Sequence, residues 1–316
     1  AKNDDQLRKS VAATAVIGNI LSLFVIFIGA VGLYPMLQFL GTPSAIVAQS
    51  YLYISTIVNG VAVTFAYNLC AGLLRAVGDS LAALYFLIIA AILNILLDLY
   101  FITQLHLGVQ SAGIATIIAQ GISALLCLLY IRKKVPFLLP HRKDFVWDKE
   151  LYQDLLSQGL AMGLMTSIVS IGTVILQSAI NQLGTTIISA QVAARRIMSF
   201  AVLPITAIAS SITTFISQNF GAEQFQRIKK GVTIANLLSW VWSVLVAALL
   251  FFTSPSLTSF ISGSTNPDLI ANASLYLQIS SCFYPILASL IILRNALQGM
   301  GKKLTPLTSS FIELFG

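Results

Sequence analysis

Apolar residues in this chain do not alternate with polar ones at the period of a half-buried helix or strand. They run on without interruption and are separated by short polar stretches. Runs of at least ~18 weakly charged apolar residues mark helices that cross a bilayer. Eight such runs cover residues 11–34, 46–74, 82–103, 109–131, 155–182, 186–217, 231–253 and 270–297, and another begins over 304–316. The pattern predicts an all-α integral membrane protein, a polytopic helix bundle with about eight and a half spans. The first run is long and is preceded by Asp4, Asp5, Arg8 and Lys9, so it reads as a span and not as a cleaved signal peptide. Pro204 lies within 186–217 and predicts a kink there, because proline removes a helix N–H and crowds the carbonyl one turn back.

The runs also repeat. Residues 1–11 recur in type as 222–232, through Leu7/Ile228, Arg8/Lys229, Lys9/Lys230 and Val11/Val232. Tyr51-Leu52 and Ile54-Ser55 recur as Tyr276-Leu277 and Ile279-Ser280, and Leu74 and Gly78 recur as Leu297 and Gly301. The spacing drifts through 221, 225 and 223 residues, so a two-residue slip must be absorbed within the second span. An internal duplication predicts a first lobe over 1–131, a connector over 132–153 and a second lobe over 154–316. Two spans precede the repeat in the second half and none in the first, while two spans follow it in the first half and a fragment in the second. The chain is therefore expected to be a piece of a longer protein with two six-helix lobes; it also lacks a starting Met.

Composition agrees with the pattern. At 57% hydrophobic and 9% charged, the chain lies far from the ~25% charged residues of soluble proteins. The net charge of +7 raises the question of nucleic acid, and the placement of the charges answers it. With the N-terminus inside, Lys2, Arg8, Lys9, Arg75, the cluster from Arg132 to Lys149, Arg227 to Lys230, Lys302 and Lys303 all fall on one side. The opposite loops, near 35–45, 104–108, 183–185 and 254–269, carry no Lys or Arg. This is the positive-inside signal; it puts the basic loops in the cytoplasm of a cell-membrane protein and gives no support to a nucleic-acid partner. The connector would set its basic residues against acidic headgroups, with Phe145, Trp147, Leu151 and Tyr152 as interfacial anchors, and would serve as a hinge or as a passive tether. Cys70, Cys127 and Cys282 fall singly in different spans and imply no disulfide framework, and His106 and His141 stand alone. No triad, zinc site or cofactor signature follows, so an enzyme is not expected.

One acid, Asp98, sits inside the 82–103 run. Hydrocarbon does not solvate an ionised carboxylate, so an acid at membrane depth points to ion or proton handling; the alternative is a carboxylate near the helix end that reaches headgroup water. Asn94, one turn earlier, shares its helix face. At ~1.5 Å per residue, Asp98 lies ~8 Å from the outer end of its helix and Thr116 ~10 Å from the outer start of the next, and Tyr53 reaches a similar level. Asp98, Asn94, Thr116 and Tyr53 form a candidate oxygen-rich pocket for H+ or Na+. Arg195 and Arg196 are neighbours ~100° apart, so one lines a cleft while the other snorkels, or both are structural. Glu313 pairs with an Arg, lines the cleft, or sits near the chain end; these options stay open.

The stretches Leu74-Arg75-Ala76-Val77-Gly78-Asp79, Asn94-Ile95-Leu96-Leu97-Asp98, Ala112-Gly113-Ile114-Ala115-Thr116 and Gln218-Asn219-Phe220-Gly221-Ala222 resemble those of the multidrug and toxic compound extrusion (MATE) transporters. The resemblance implies a twelve-helix antiporter whose two lobes surround a central cleft and export amphipathic, often cationic compounds in exchange for H+ or Na+. In the DinF-like branch the cation site is in the first lobe, and its motif positions fall on Asn94, Asp98, Thr116 and Tyr53, with a cleft contact on Asn68. That branch's other key acid belongs to a first helix this chain does not contain. The NorM-like branch has acids in its seventh and tenth helices; the matching runs here, 155–182 and 270–297, have none in the membrane interior, which favours the first-lobe mode. Ala161 stands where the family often has Pro.

The function expected is secondary active antiport by alternating access, acting on small amphipathic or cationic solutes, with the bilayer as partner and the monomer as the working unit. A lipid-linked oligosaccharide or polysaccharide flippase is the alternative; it would need cationic cleft residues, for which Arg195, Arg196 and Arg294 are the candidates.

Overall fold

The computed structural model describes residues 4–39 and 44–315. The start of the first repeat copy, Lys2 among it, and residues 40–43 of the expected first outer loop lie outside the described residues. The helices are α1 (Asp4–Phe39), α2 (Ser44–Asn59), α3 (Val61–Ala76), α4 (Ser80–Thr103), α5 (Gln110–Lys134), α6 (Lys149–Asn181), α7 (Thr185–Gly221), α8 (Phe225–Ser262), α9 (Pro267–Cys282), α10 (Tyr284–Gly299) and α11 (Leu304–Phe315). No strand occurs among the described residues. Six helices are individually long and apolar enough to cross a membrane, and two bent pairs bring the number to eight. This is a polytopic all-α membrane protein. Many Leu, Ile and Phe side chains of α1, α4 and α8 face outward, as acyl chains require.

Each predicted run is met by one helix or by a bent pair. The run 46–74 is α2 and α3 meeting at 45°, and 270–297 is α9 and α10 meeting at 54°. The breaks, at Gly60 and Phe283, are 223 residues apart, the spacing of the Leu74/Leu297 and Gly78/Gly301 matches. Their causes differ. The Gly60 N–H donates to both Thr56 O and Ile57 O, whereas Pro285 has no N–H to continue the helix and instead starts α10. The expected kink at Pro204 does not interrupt its helix: α7 runs unbroken through it. The outer stretch 254–269 is also shorter than predicted, since α8 continues through Pro255 to Ser262.

The duplication extends to helix ends. The Asp79 N–H donates to Leu74 O at 2.9 Å and the Lys302 N–H to Leu297 O at 3.0 Å, closing α3 and α10 with the same reverse turn. Both turns need a left-handed residue, and both use glycine, Gly78 with φ 92° and Gly301 with φ 73°.

The chain divides into two compact units, Ala1–Leu156 and Ser157–Gly316. In the first, Leu74, Phe86, Cys127 and Ile131 form a core that Leu138 of the connector completes. The connector is therefore docked on this unit, through single-turn 3-10 helices at Pro136–Leu138 and Arg142–Asp144. In the second unit α7 is central. Its alanines 190, 194, 201 and 209 are buried against α8, α9 and α10, the small-residue contact that lets membrane helices approach closely.

Candidate functional site

The site in the first unit begins at the N-terminal end of α4. Asp79 caps that helix by accepting the Ala82 N–H at 3.1 Å, and its other oxygen accepts the Tyr130 hydroxyl at 2.8 Å. This ties α4 to α5 and fixes their register. Further out on the same two helices, Asn94 Nδ2 donates to Thr116 Oγ1 at 3.2 Å, while the Thr116 hydroxyl donates to Ala112 O at 2.8 Å. Depth counting puts Thr116 level with Asp98, and the hydrogen bond Thr116 accepts comes from Asn94, one turn from Asp98 on the same face.

Asp98 follows Asn94 by one turn of α4. Its side chain is half-buried, and its Oδ1 is buried with no hydrogen-bond partner among the described residues. Among the described residues Asp98 has no ion pair; those seen join Arg8 with Asp5 and Asp144, His141 with Asp144, and Arg294 with Glu313. Leaving a buried charged acceptor unpaired costs more than the ~1–3 kcal/mol of a neutral group. A proton or a small hard cation removes that cost, and Asn94 and Thr116 can add neutral oxygens beside the carboxylate.

Tyr53 makes no hydrogen bond to this group. It is 37% exposed on α2, and its hydroxyl has no partner among the described residues. Depth alone does not fix the direction in which a helix presents a side chain. Asn68 is exposed, with its amide donating to Thr64 O of its own helix at 2.9 Å. The contacts that hold α5 against the bent α2–α3 pair are others: Gln110 Nε2 to Thr56 Oγ1 at 3.1 Å, and Thr64 Oγ1 to Gln120 Oε1 at 2.6 Å. Sequence reasoning passed over these four residues, although two glutamines within an apolar run were the available signal. Cys70 packs against buried Cys127, so two of the three cysteines are neighbours despite lying in different spans.

In the second unit Arg195 is half-buried and Arg196 exposed. Glu313 pairs with Arg294 at 2.7 Å, and Arg294 also reaches Ser309 Oγ at 3.2 Å. Arg195, Arg294 and Glu313 line a single cavity of about 530 Å³. The sequence offered pairing with an Arg as one fate of Glu313 but did not identify Arg294. At Ala161, α6 is continuous.

The MatE family model matches residues 1–100 and 161–315. The probable multidrug resistance protein YpnP of Bacillus subtilis (strain 168) is 29% identical over 89% of this chain and 62% of its own length. The probable multidrug resistance protein YoeA of the same organism is 24% identical over 100% of this chain and 69% of its own. A multidrug resistance MATE family transporter of the MOP superfamily, solved in an outward-facing conformation, superposes with a TM-score of 0.86 at 20% identity, covering 99% of this chain and 74% of that one. The chain thus spans less than two thirds of the first of these relatives.

Proposed function

The chain belongs to the MatE family, a family of transporters and not of enzymes, and on that premise we propose that it works as a secondary active antiporter exporting small amphipathic organic compounds in exchange for H+ or Na+. The observation that carries the ion-coupled part is the buried, partnerless oxygen of Asp98 one turn from the Asn94–Thr116 hydrogen bond.

With the transporter open outward, an external H+ or Na+ loads Asp98 and cancels its charge. A proton binds the bare oxygen; Na+ shares it with the oxygens of Asn94 and Thr116. Once neutral, the group no longer requires water, so α4 and α5 can repack, and the lobe that contains them releases solute to the outside. Return of the ion to the cytoplasm restores the charge and the first packing. An ion moving down the membrane potential contributes ~2.3 kcal/mol per charge per 100 mV, enough to drive solute outward against a substantial gradient. The basic loops face the cytoplasm of the cell membrane, and the monomer is the transporting unit.

Asp98→Asn keeps the shape and removes the titratable, ion-binding charge. Cells expressing the full-length protein with this change should lose drug resistance and efflux of a fluorescent dye while keeping normal protein levels in the membrane. Undiminished efflux by the variant counts against the scheme.

A further inference from the structure

The cavity of about 530 Å³ in the second unit falls within the size range of small-molecule sites. Met198, Leu203, Leu287 and Leu290 give it apolar walls, and its charged groups are Arg195, Arg294 and Glu313. These charges do not cancel. Glu313 is already paired with Arg294, whose Nε is nevertheless buried without an acceptor, and Arg195 has no ion-pair partner among the described residues. A cationic solute entering here meets a net positive charge, whereas an anionic group gains one free guanidinium and part of a second.

We infer that this cavity binds an amphipathic organic anion, its carboxylate or phosphate held by Arg195 and Arg294 and its apolar body resting on the Met and Leu walls. Guanidinium suits this task because its planar fork bonds such oxyanions in pairs and is weakly hydrated. Glu313 acts as the resident competitor: it holds Arg294 in the empty cavity and gives way when the solute's anion arrives. The inference rests on the transport reading only in calling the bound molecule a substrate.

The test uses full-length protein in phosphatidylcholine nanodiscs and two probes with one xanthene skeleton, anionic fluorescein and a cationic rhodamine methyl ester, with binding followed by anisotropy. Wild type should bind fluorescein about tenfold or more tighter than the rhodamine ester, the effect of one charge-assisted hydrogen bond. Arg195→Gln should weaken fluorescein by a similar factor without weakening the ester. Glu313→Gln, which releases Arg294, should tighten fluorescein. Tighter binding of the ester by wild type, or no change in either affinity in both variants, overturns the inference. Loss of fluorescein binding when phosphatidic acid is doped into the disc assigns the arginines to a lipid headgroup and overturns it as well. Should the anion preference fail while efflux still depends on Asp98, this inference alone falls.

Discussion

Asp98 and Thr116 are positioned by simple rules, and their roles separate under substitution. Asn94 and Asp98 share a face because they are four residues apart, and the Asn94–Thr116 hydrogen bond joins that face to the next, antiparallel helix. That much was legible in the sequence. The partners of Glu313 and the exposure of Tyr53 were not, because each depends on the rotation of one helix against another, which neither spacing nor depth determines. Thr116→Val keeps the shape of the side chain but leaves the Asn94 amide without its acceptor, a loss of ~1–3 kcal/mol for a buried donor. Export should persist, with the ion concentration for half-maximal efflux raised by about tenfold. A variant with unchanged ion dependence would remove Thr116 from the pocket.

At the scale of elements, α2–α3 and α9–α10 run in step, 223 residues apart from helix start through the bends at Gly60 and Phe283, so the slip in the sequence repeat has no counterpart in the helices. Geometry is shared there while the residues that produce it are not, glycine in one copy and a proline two positions on in the other. Sequence reading found the apolar run and missed the break, and it expected a kink at Pro204, where α7 is one helix from Thr185 to Gly221. Packing on α7 is close where α10 crosses it. Ser217 Oγ donates to Gly299 O at 2.9 Å and Thr213 Oγ1 to Asn295 Oδ1 at 3.0 Å, and a Cβ at Gly299 would lie 2.7 Å from the Thr213 backbone oxygen. Gly299→Ala should therefore cost ~1–3 kcal/mol by overpacking. At about 2–4 °C per kcal/mol, this gives a clear fall in melting temperature in detergent. Gly163→Ala, where the added Cβ meets nothing within 4 Å, should leave the temperature unchanged or slightly raised.

For the whole molecule, the duplication, the positive-inside charges and the apolar runs together made the fold class readable before any coordinates. The behaviour of the connector was not readable, since a hinge and a tether have the same composition. It docks on the first unit, with Leu138 fully buried and Asp144 accepting the His141 N–H at 2.7 Å and lying 3.4 Å from Arg8 Nε. The His141 N–H, and then the Arg8 charge, hold the Asp144 carboxyl below its ordinary range. A carboxyl lowered in the folded state stabilises at pH above its unfolded value, and that contribution is lost as pH falls through the lower folded value. The docked connector should thus be intact at neutral pH and loosen only in strong acid. Asp144→Asn should loosen it at neutral pH, seen as faster protease cleavage between residues 139 and 148; cleavage at the wild-type rate would show that Leu138 alone holds the segment. Asp98 as the coupling group is tested most directly by ion flux in proteoliposomes. With the full-length protein reconstituted, an inward H+ or Na+ gradient should drive dye the opposite way, and adding dye should accelerate ion movement. Asp98→Asn should abolish both effects together, while dye-driven ion movement that survives in this variant would contradict the account.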